Sequence, residues 1–188
     1  MNRRPTRILG LLAALAACVG IVLGAASSAQ ATSATATLSA GSLAFVSAPP
    51  SVSFSATLNG QDQNPTTTQA LDVGDATGSG SGWNITATST TFTAGSHTLS
   101  NSATSVASAP SVACDSSVTC TTATTNVTYP YSLPAAGTAP TATKLFNATA
   151  NTGLGNQTVT PTWKLAVPAS TYAGTYTSTW TLSLASGP

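Results

Sequence analysis

The sequence predicts an all-β protein, and two observations support this prediction. Apolar side chains alternate with Thr and Ser along several segments, which is typical of antiparallel strands with one buried and one solvent-facing side. Charged residues make up only 5% of the chain and Glu is absent, so the sequence lacks the residues that usually cover helix surfaces. Thr, which favours strands, is abundant instead.

Four segments show the alternation most clearly: Ser51 to Leu58, Gly82 to Thr88, Thr158 to Val167 and Thr175 to Leu184. Weaker strand signals occur in Thr35 to Val46, Ala70 to Val73, Asn126 to Tyr131 and Thr143 to Ala150. Turn signals separate them at Asn59-Gly60, Gly78 to Gly82, Ala94-Gly95, Pro134 to Pro140 and Asn151 to Asn156. Many short strands with frequent turns predict an antiparallel β-sandwich, immunoglobulin-like or jelly-roll-like.

The N-terminus has the three parts of a secretory signal peptide. Arg3, Arg4 and Arg7 give a basic start, and an apolar run follows from Ile8 to Ala26. Ala29-Gln30-Ala31 then provides a small-residue cleavage site. We therefore expect residues 1–31 to be removed on export and residues 32–188 to form a single domain, a length that can bury a real core.

Two alternatives to this cleavage stay open. Leu15-Ala16-Ala17-Cys18 has the form of a lipobox, in which case Cys18 would carry a lipid and become the first residue. The residues after Cys18 stay apolar, whereas a lipoprotein usually turns polar there. The apolar run could also be a permanent membrane anchor, but it is rich in Ala and Gly and ends at the cleavage site. After cleavage we expect no membrane association.

The expected mature chain is poor in charge. Its only cations are Lys144 and Lys164, against four aspartates, which gives a net charge of −2. Such a chain has no basic patch, so nucleic acid and anionic lipid are not expected as partners.

Cys114 and Cys120 are the two cysteines of the expected mature chain, and they flank a short polar loop. Export places them in an oxidising compartment, so we expect them to form a disulfide bond. A metal site is not expected there, because the pair has no nearby histidine and no third cysteine.

Catalysis is not expected either. His97 is the only histidine, it lies in a turn-like stretch, and no nucleophile motif surrounds it. The chain has no Glu, so paired-carboxylate hydrolysis would depend on four Asp residues alone. No phosphate-binding loop or metal-ligand spacing is present, so no cofactor is expected. We interpret His97 as a surface residue.

Three tryptophan tripeptides carry a family resemblance. Trp180-Thr181-Leu182, preceded by Tyr172-Ala173-Gly174-Thr175-Tyr176, is similar to the distal motif of WxL domains. Asp72, Asp75 and the glycine-rich run into Gly82-Trp83-Asn84-Ile85 resemble the proximal motif, with Ile85 in place of Leu. Trp163-Lys164-Leu165 resembles the strand before the distal motif. The resemblance spans most of residues 32–184.

The resemblance implies a secreted surface protein of Gram-positive bacteria that associates non-covalently with cell-wall peptidoglycan, with other surface proteins as further partners. The alternative is a secreted structural or partner-binding β-sandwich without wall affinity, in which edge strands pair with another chain.

The motif residues themselves have two interpretations. In a strand, Trp and Leu two positions apart lie on one face. Because Thr and Ser occupy the opposite face, we expect this face to pack into the core, and direct wall contact is the second interpretation. The motif residues are Trp83, Ile85, Trp163, Leu165, Trp180 and Leu182. Asp72 and Asp75 are expected to cap turns, with a small cation site as the alternative.

Overall fold

A computed structural model describes residues 30–188, and the chain divides into the units Met1–Thr37 and Leu38–Pro188. In the first unit, residues 30–37 are exposed and have no regular secondary structure. The expected signal peptide and Cys18 lie outside the described residues, apart from Gln30 and Ala31.

The second unit is all-β, as predicted, and has fourteen strands. They are β1 Leu43–Phe45, β2 Thr66–Thr68, β3 Leu71–Asp75, β4 Trp83–Thr90, β5 Thr93–Ala94, β6 His97–Thr98, β7 Thr104–Val106, β8 Ser111–Cys114, β9 Tyr131–Ser132, β10 Ala135–Ala136, β11 Thr143–Ala148, β12 Gly155–Thr160, β13 Thr162–Leu165 and β14 Trp180–Ser186. Within residues 30–188, the structure has no helix of the length and apolarity needed to cross a membrane.

The strands form three main sheets in a sandwich-like arrangement. The first sheet has the order β1-β3-β12-β8, and the third has the order β2-β13-β7-β9. In the second sheet, β4 pairs with β14, with β11 and with β10. All ladders are antiparallel except the short one between β10 and β4. Strands β5 and β6 make a separate hairpin.

One apolar core joins the three sheets. It contains Val73 from the first sheet, Ile85 from the second and Trp163 from the third, each with no exposed surface. Full burial of an apolar side chain of this kind contributes about 1.5–3 kcal/mol to folding. A smaller cluster lies beside it and consists of Leu99, Ala103, Leu165 and Val167.

The predicted strand from Ser51 to Leu58 is wrong. Val52 and Phe54 are half-buried while Ser51, Ser53 and Ser55 are exposed, so burial alternates over the first half of the segment, but these residues join no sheet. Alternation of apolar and polar residues indicates which side of a segment is buried. A β-strand also needs a neighbouring strand that exchanges backbone hydrogen bonds with it. No strand of the described chain pairs with this segment.

The predicted strand from Thr158 to Val167 is two strands. Burial alternates without interruption through Pro161, yet the chain leaves the first sheet as β12 and enters the third as β13. Proline has no N–H to give to a ladder, so the hydrogen-bonded pattern stops there.

Other predicted bounds also shift. The segment predicted from Thr175 to Leu184 pairs with β4 only from Trp180 onward, as β14. Before it, Thr177 makes an isolated bridge to Thr93. Thr35 to Val46 contributes only β1, and Asn126 to Tyr131 contributes only the first residue of β9. Strands β2, β5, β6, β7, β8 and β10 were not predicted, because two to four residues are too few for alternation to stand out.

Candidate functional site

A groove in the described surface lies between two stretches of chain. One wall is residues 49–58, and the other is residues 171–182, which include the start of β14. The groove has two adjoining parts of about 550 and 760 Å³, and both are lined by Val52, Phe92 and Tyr176. We call this depression the aromatic groove.

Aromatic rings supply much of the lining. The ring centroids of Phe54, Phe92 and Trp180 are 6.4–6.5 Å from one another. These three rings and Tyr176 are half-buried, because they pack inward on the core clusters and outward on the groove. Such rings present an apolar surface that is rigid and partly open to solvent.

Most backbone groups of the first wall have no hydrogen-bond partner within the described chain. Within the described chain, residues 47–58 make no backbone–backbone hydrogen bond. A buried side chain holds this wall in place instead: Gln69 Nε2 donates to the Pro50 carbonyl at 2.7 Å, and Gln69 Oε1 accepts from Trp163 Nε1 at 2.9 Å. The wall is therefore fixed to the core through Pro50, while the backbone N–H and C=O groups of residues 51–58 stay available.

The lining of the aromatic groove has no charged side chain. Its polar groups are Ser and Thr hydroxyls, tyrosine hydroxyls, the Gln69 amide, the Trp180 indole N–H and the backbone. Such groups recognise ligands by hydrogen bonds and not by ion pairs.

The structure places Trp83 and Trp180 at opposite ends of the ladder that β4 and β14 form in the second sheet. Trp83 and Ile85 lie on β4, fully buried, and Trp83 Nε1 donates to the Gly153 carbonyl at 2.9 Å. In the β4–β14 ladder, Trp83 lies opposite Ser186 and Ser89 lies opposite Trp180. Six residues of strand separate these positions, roughly 20 Å. Trp83 therefore belongs to the end of the sheet away from the aromatic groove.

Trp163 and Trp180 are brought together although they lie on different sheets. Their ring centroids are 4.8 Å apart and the rings meet edge to face. Trp163 is fully buried and Leu165 nearly so, whereas Trp180 and Leu182 are half-buried and line the groove. The face carrying Trp180 was expected to be core, and the structure places it partly in the core and partly at a surface.

Sequence reasoning missed three contributors to the groove. Phe92 follows β4 and had no strand pattern around it, and Gln69 was not singled out. Phe54 was assigned only to a core face. A signal for Gln69 exists in hindsight, since an isolated Gln beside an apolar strand has to find buried hydrogen-bond partners.

The predicted disulfide between Cys114 and Cys120 is present, with a Cα–Cα distance of 5.6 Å. Its loop is close to the Trp83 end of the molecule: Thr121 N donates to the Leu154 carbonyl, beside the Gly153 carbonyl that Trp83 uses. The bridge is thus a structural feature outside the aromatic groove.

The aspartates have separate roles. Asp75 accepts hydrogen bonds from the Thr77 backbone N–H at 3.0 Å and from the Thr77 hydroxyl at 2.7 Å, which is a turn cap. Burial raises the pKa of Asp72, and the nearby Asp115 carboxylate raises it further. Among the described residues, no group of three or more His, Cys, Asp or Glu side chains could hold a metal ion.

The Asp72 carboxyl gives a test of pH-dependent stability. Its folded pKa lies above the ordinary 3.8, so the folded state binds the proton more tightly and stability falls as pH rises through this window. Asp72→Asn should therefore be more stable than the parent at pH 7, and the difference should shrink as the pH approaches 4. Urea unfolding at several pH values measures this. An Asn variant that is less stable than the parent at pH 7 would contradict it.

His97 is a surface residue, as predicted. It is exposed and stacks on Tyr172, with ring centroids 4.0 Å apart and an interplanar angle of 15°. Tyr172 itself is 65% exposed and lies at the edge of the aromatic groove.

Comparison with known families agrees with the resemblance. The family model described as "WxL domain surface cell wall-binding" matches residues 26–188, nearly the whole chain. No curated protein and no solved structure matches the chain. The chain thus belongs to the WxL-domain family, and its domain associates with the cell wall at the cell surface.

Proposed function

We propose that the chain is exported and is held at the wall by non-covalent binding of peptidoglycan, which it binds and does not cleave. The observation that carries this proposal is the uncharged aromatic groove with Trp180 of the C-terminal tripeptide in its lining. The polymers of the wall contain sugars, charged peptides and phosphates. A groove without charged side chains disfavours binding of the charged peptides and the phosphates.

The proposal that the chain does not cleave peptidoglycan rests on the contacts that its ionisable side chains make. Asp75 caps a turn, Asp115 accepts a hydrogen bond from the Thr158 hydroxyl at 3.0 Å, and His97 stacks on Tyr172. Each of these side chains has a structural contact, and none of them lines the aromatic groove.

Export has its own test. If residues 1–31 are a cleaved signal peptide, mass spectrometry of the chain recovered from the cell surface should find Thr32 as its first residue. An intact Met1, or a lipid on Cys18, would contradict the expected processing.

Peptidoglycan binding is tested by co-sedimentation. The chain from Thr32 to Pro188 is mixed with purified sacculi that have been freed of protein and teichoic acids. We expect it to move into the pellet and to stay there in high salt, because the groove uses no ion pairs. Chain that remains in the supernatant at all concentrations of sacculi would refute the proposal.

A partner-binding role is the second candidate, because residues 51–58 have backbone groups without hydrogen-bond partners in the described chain. An extended stretch of this kind could pair with a strand of another protein. This role needs no affinity for protein-free sacculi, so the same co-sedimentation experiment separates the two candidates.

A further inference from the structure

We infer that the aromatic groove binds the glycan backbone of peptidoglycan, and that the stem peptides and teichoic acids of the wall are not its ligands. This inference rests on the proposed function and adds the ligand class and the binding face. Three features of the groove carry it: its aromatic rings, its free hydrogen-bonding walls and its lack of charge.

The rings match the apolar side of a sugar. A pyranose ring presents C–H groups on its faces, and these pack flat against aromatic side chains, while its hydroxyls point outward from the ring edge. Phe92, Tyr176 and Trp180 line the groove in half-buried positions, with the core behind them. Within the described chain, the Trp180 indole N–H has no hydrogen-bond acceptor, so it can donate to a ligand.

The walls match the polar edge of a sugar. Ser53, Ser55 and Thr57 are exposed along the first wall, beside backbone groups that the fold leaves without partners. Thr177 and Thr181 lie on the second wall. Hydroxyl and backbone groups both donate and accept, which suits the hydroxyl and N-acetyl groups of an amino sugar.

The length of the groove fits a chain of sugars. Its first wall covers ten residues, 49–58, a stretch of chain that can reach at most about 36 Å. A single sugar would occupy only a small part of this length, whereas a glycan strand would contact both parts of the groove at once.

Charge separates the glycan from the other wall polymers. Stem peptides carry carboxylates and amines, and teichoic acids carry phosphates. The groove has no charged side chain to pair with any of these groups, and a charge that loses water without gaining a partner is strongly disfavoured. One of the two lysines is engaged elsewhere, since Lys144 Nζ donates to the Pro188 carbonyl at 2.7 Å.

The test uses isothermal titration calorimetry of the 32–188 chain with chitohexaose, an uncharged chain of N-acetylglucosamine. We expect binding whose affinity is the same in low and high salt. A free stem peptide and poly(glycerol phosphate), added separately, should not bind and should not compete with the sugar.

Two variants, each with an exposed alanine replaced by tryptophan, locate the binding face. Ala56 is exposed in the first wall, so Ala56→Trp fills the groove and should weaken chitohexaose binding by about tenfold or more. Ala107 is also exposed and outside any strand, but it does not line the groove, so Ala107→Trp should bind as the parent does. Equal binding by both variants would place the sugar elsewhere and overturn the inference.

The remaining outcomes distinguish this inference from the proposed function. Sacculi that are bound while chitohexaose neither binds nor competes would overturn the glycan inference and leave peptidoglycan binding intact. Competition by the stem peptide or by poly(glycerol phosphate) would also overturn it. If the chain bound neither sacculi nor chitohexaose but paired with an extended polypeptide along residues 49–58, both proposals would be overturned.

Discussion

Replacing Trp163 by Ala is expected to lower the free energy of unfolding by about 3–5 kcal/mol, the range for emptying a large buried aromatic site. The Trp163 side chain has no exposed surface, and its ring contacts those of Trp180 and Tyr131 at centroid distances of 4.8 and 6.4 Å. Because domains of this size are stable by only about 5–15 kcal/mol, this loss removes a large fraction of the free energy of unfolding. Urea unfolding followed by fluorescence measures the loss.

Trp163→Phe serves as the control for this prediction. It keeps an aromatic ring but removes the N–H that pairs with Gln69 Oε1, so its loss should be smaller than that of Trp163→Ala but still measurable. If Trp163→Ala changed the free energy of unfolding by less than about 1 kcal/mol, the assignment of Trp163 to the core would be wrong.

Replacing Trp180 by Ala is expected to abolish co-sedimentation with sacculi at a smaller cost in stability than Trp163→Ala. Trp180 is half-buried, so less apolar surface is lost on truncation, while the aromatic groove loses a large part of its lining. Thermal unfolding and co-sedimentation on the same preparation measure both effects.

Trp83→Ala serves as a comparison, because it should lose stability but keep its binding to sacculi. Trp83 is buried at the far end of β4, so this variant should lose stability and, at temperatures where it stays folded, should still bind sacculi. Normal wall binding by Trp180→Ala would exclude the groove as the binding face.

Much of the core followed from the sequence, because alternation is a local property. The face with Trp83 and Ile85 was correctly placed by the Thr and Asn residues opposite it, and the same holds for Trp163. The disulfide was also predicted, because export places the two remaining cysteines in an oxidising compartment. The core predictions each use residues within one short segment, and the disulfide prediction also uses the N-terminal export signal.

The aromatic groove could not be predicted in this way. It exists because residues 49–58 have no neighbouring strand and because β14 pairs, within the described chain, only with β4. Pairing partners are far apart in sequence, so alternation predicts a buried face for Phe54 and Trp180 but not the open space beside them. The three tryptophan tripeptides therefore look alike in sequence and differ in environment.

The indole N–H resonances of the three tryptophans give the most direct test of the claim that the wall glycan contacts the aromatic groove. Trp83 donates to the Gly153 carbonyl and Trp163 to Gln69, whereas Trp180 lines the groove. When chitohexaose is added to the 15N-labelled chain, the Trp180 indole resonance should shift until saturation and that of Trp83 should stay in place. A Trp180 resonance that stays unshifted at a saturating sugar concentration would contradict the account.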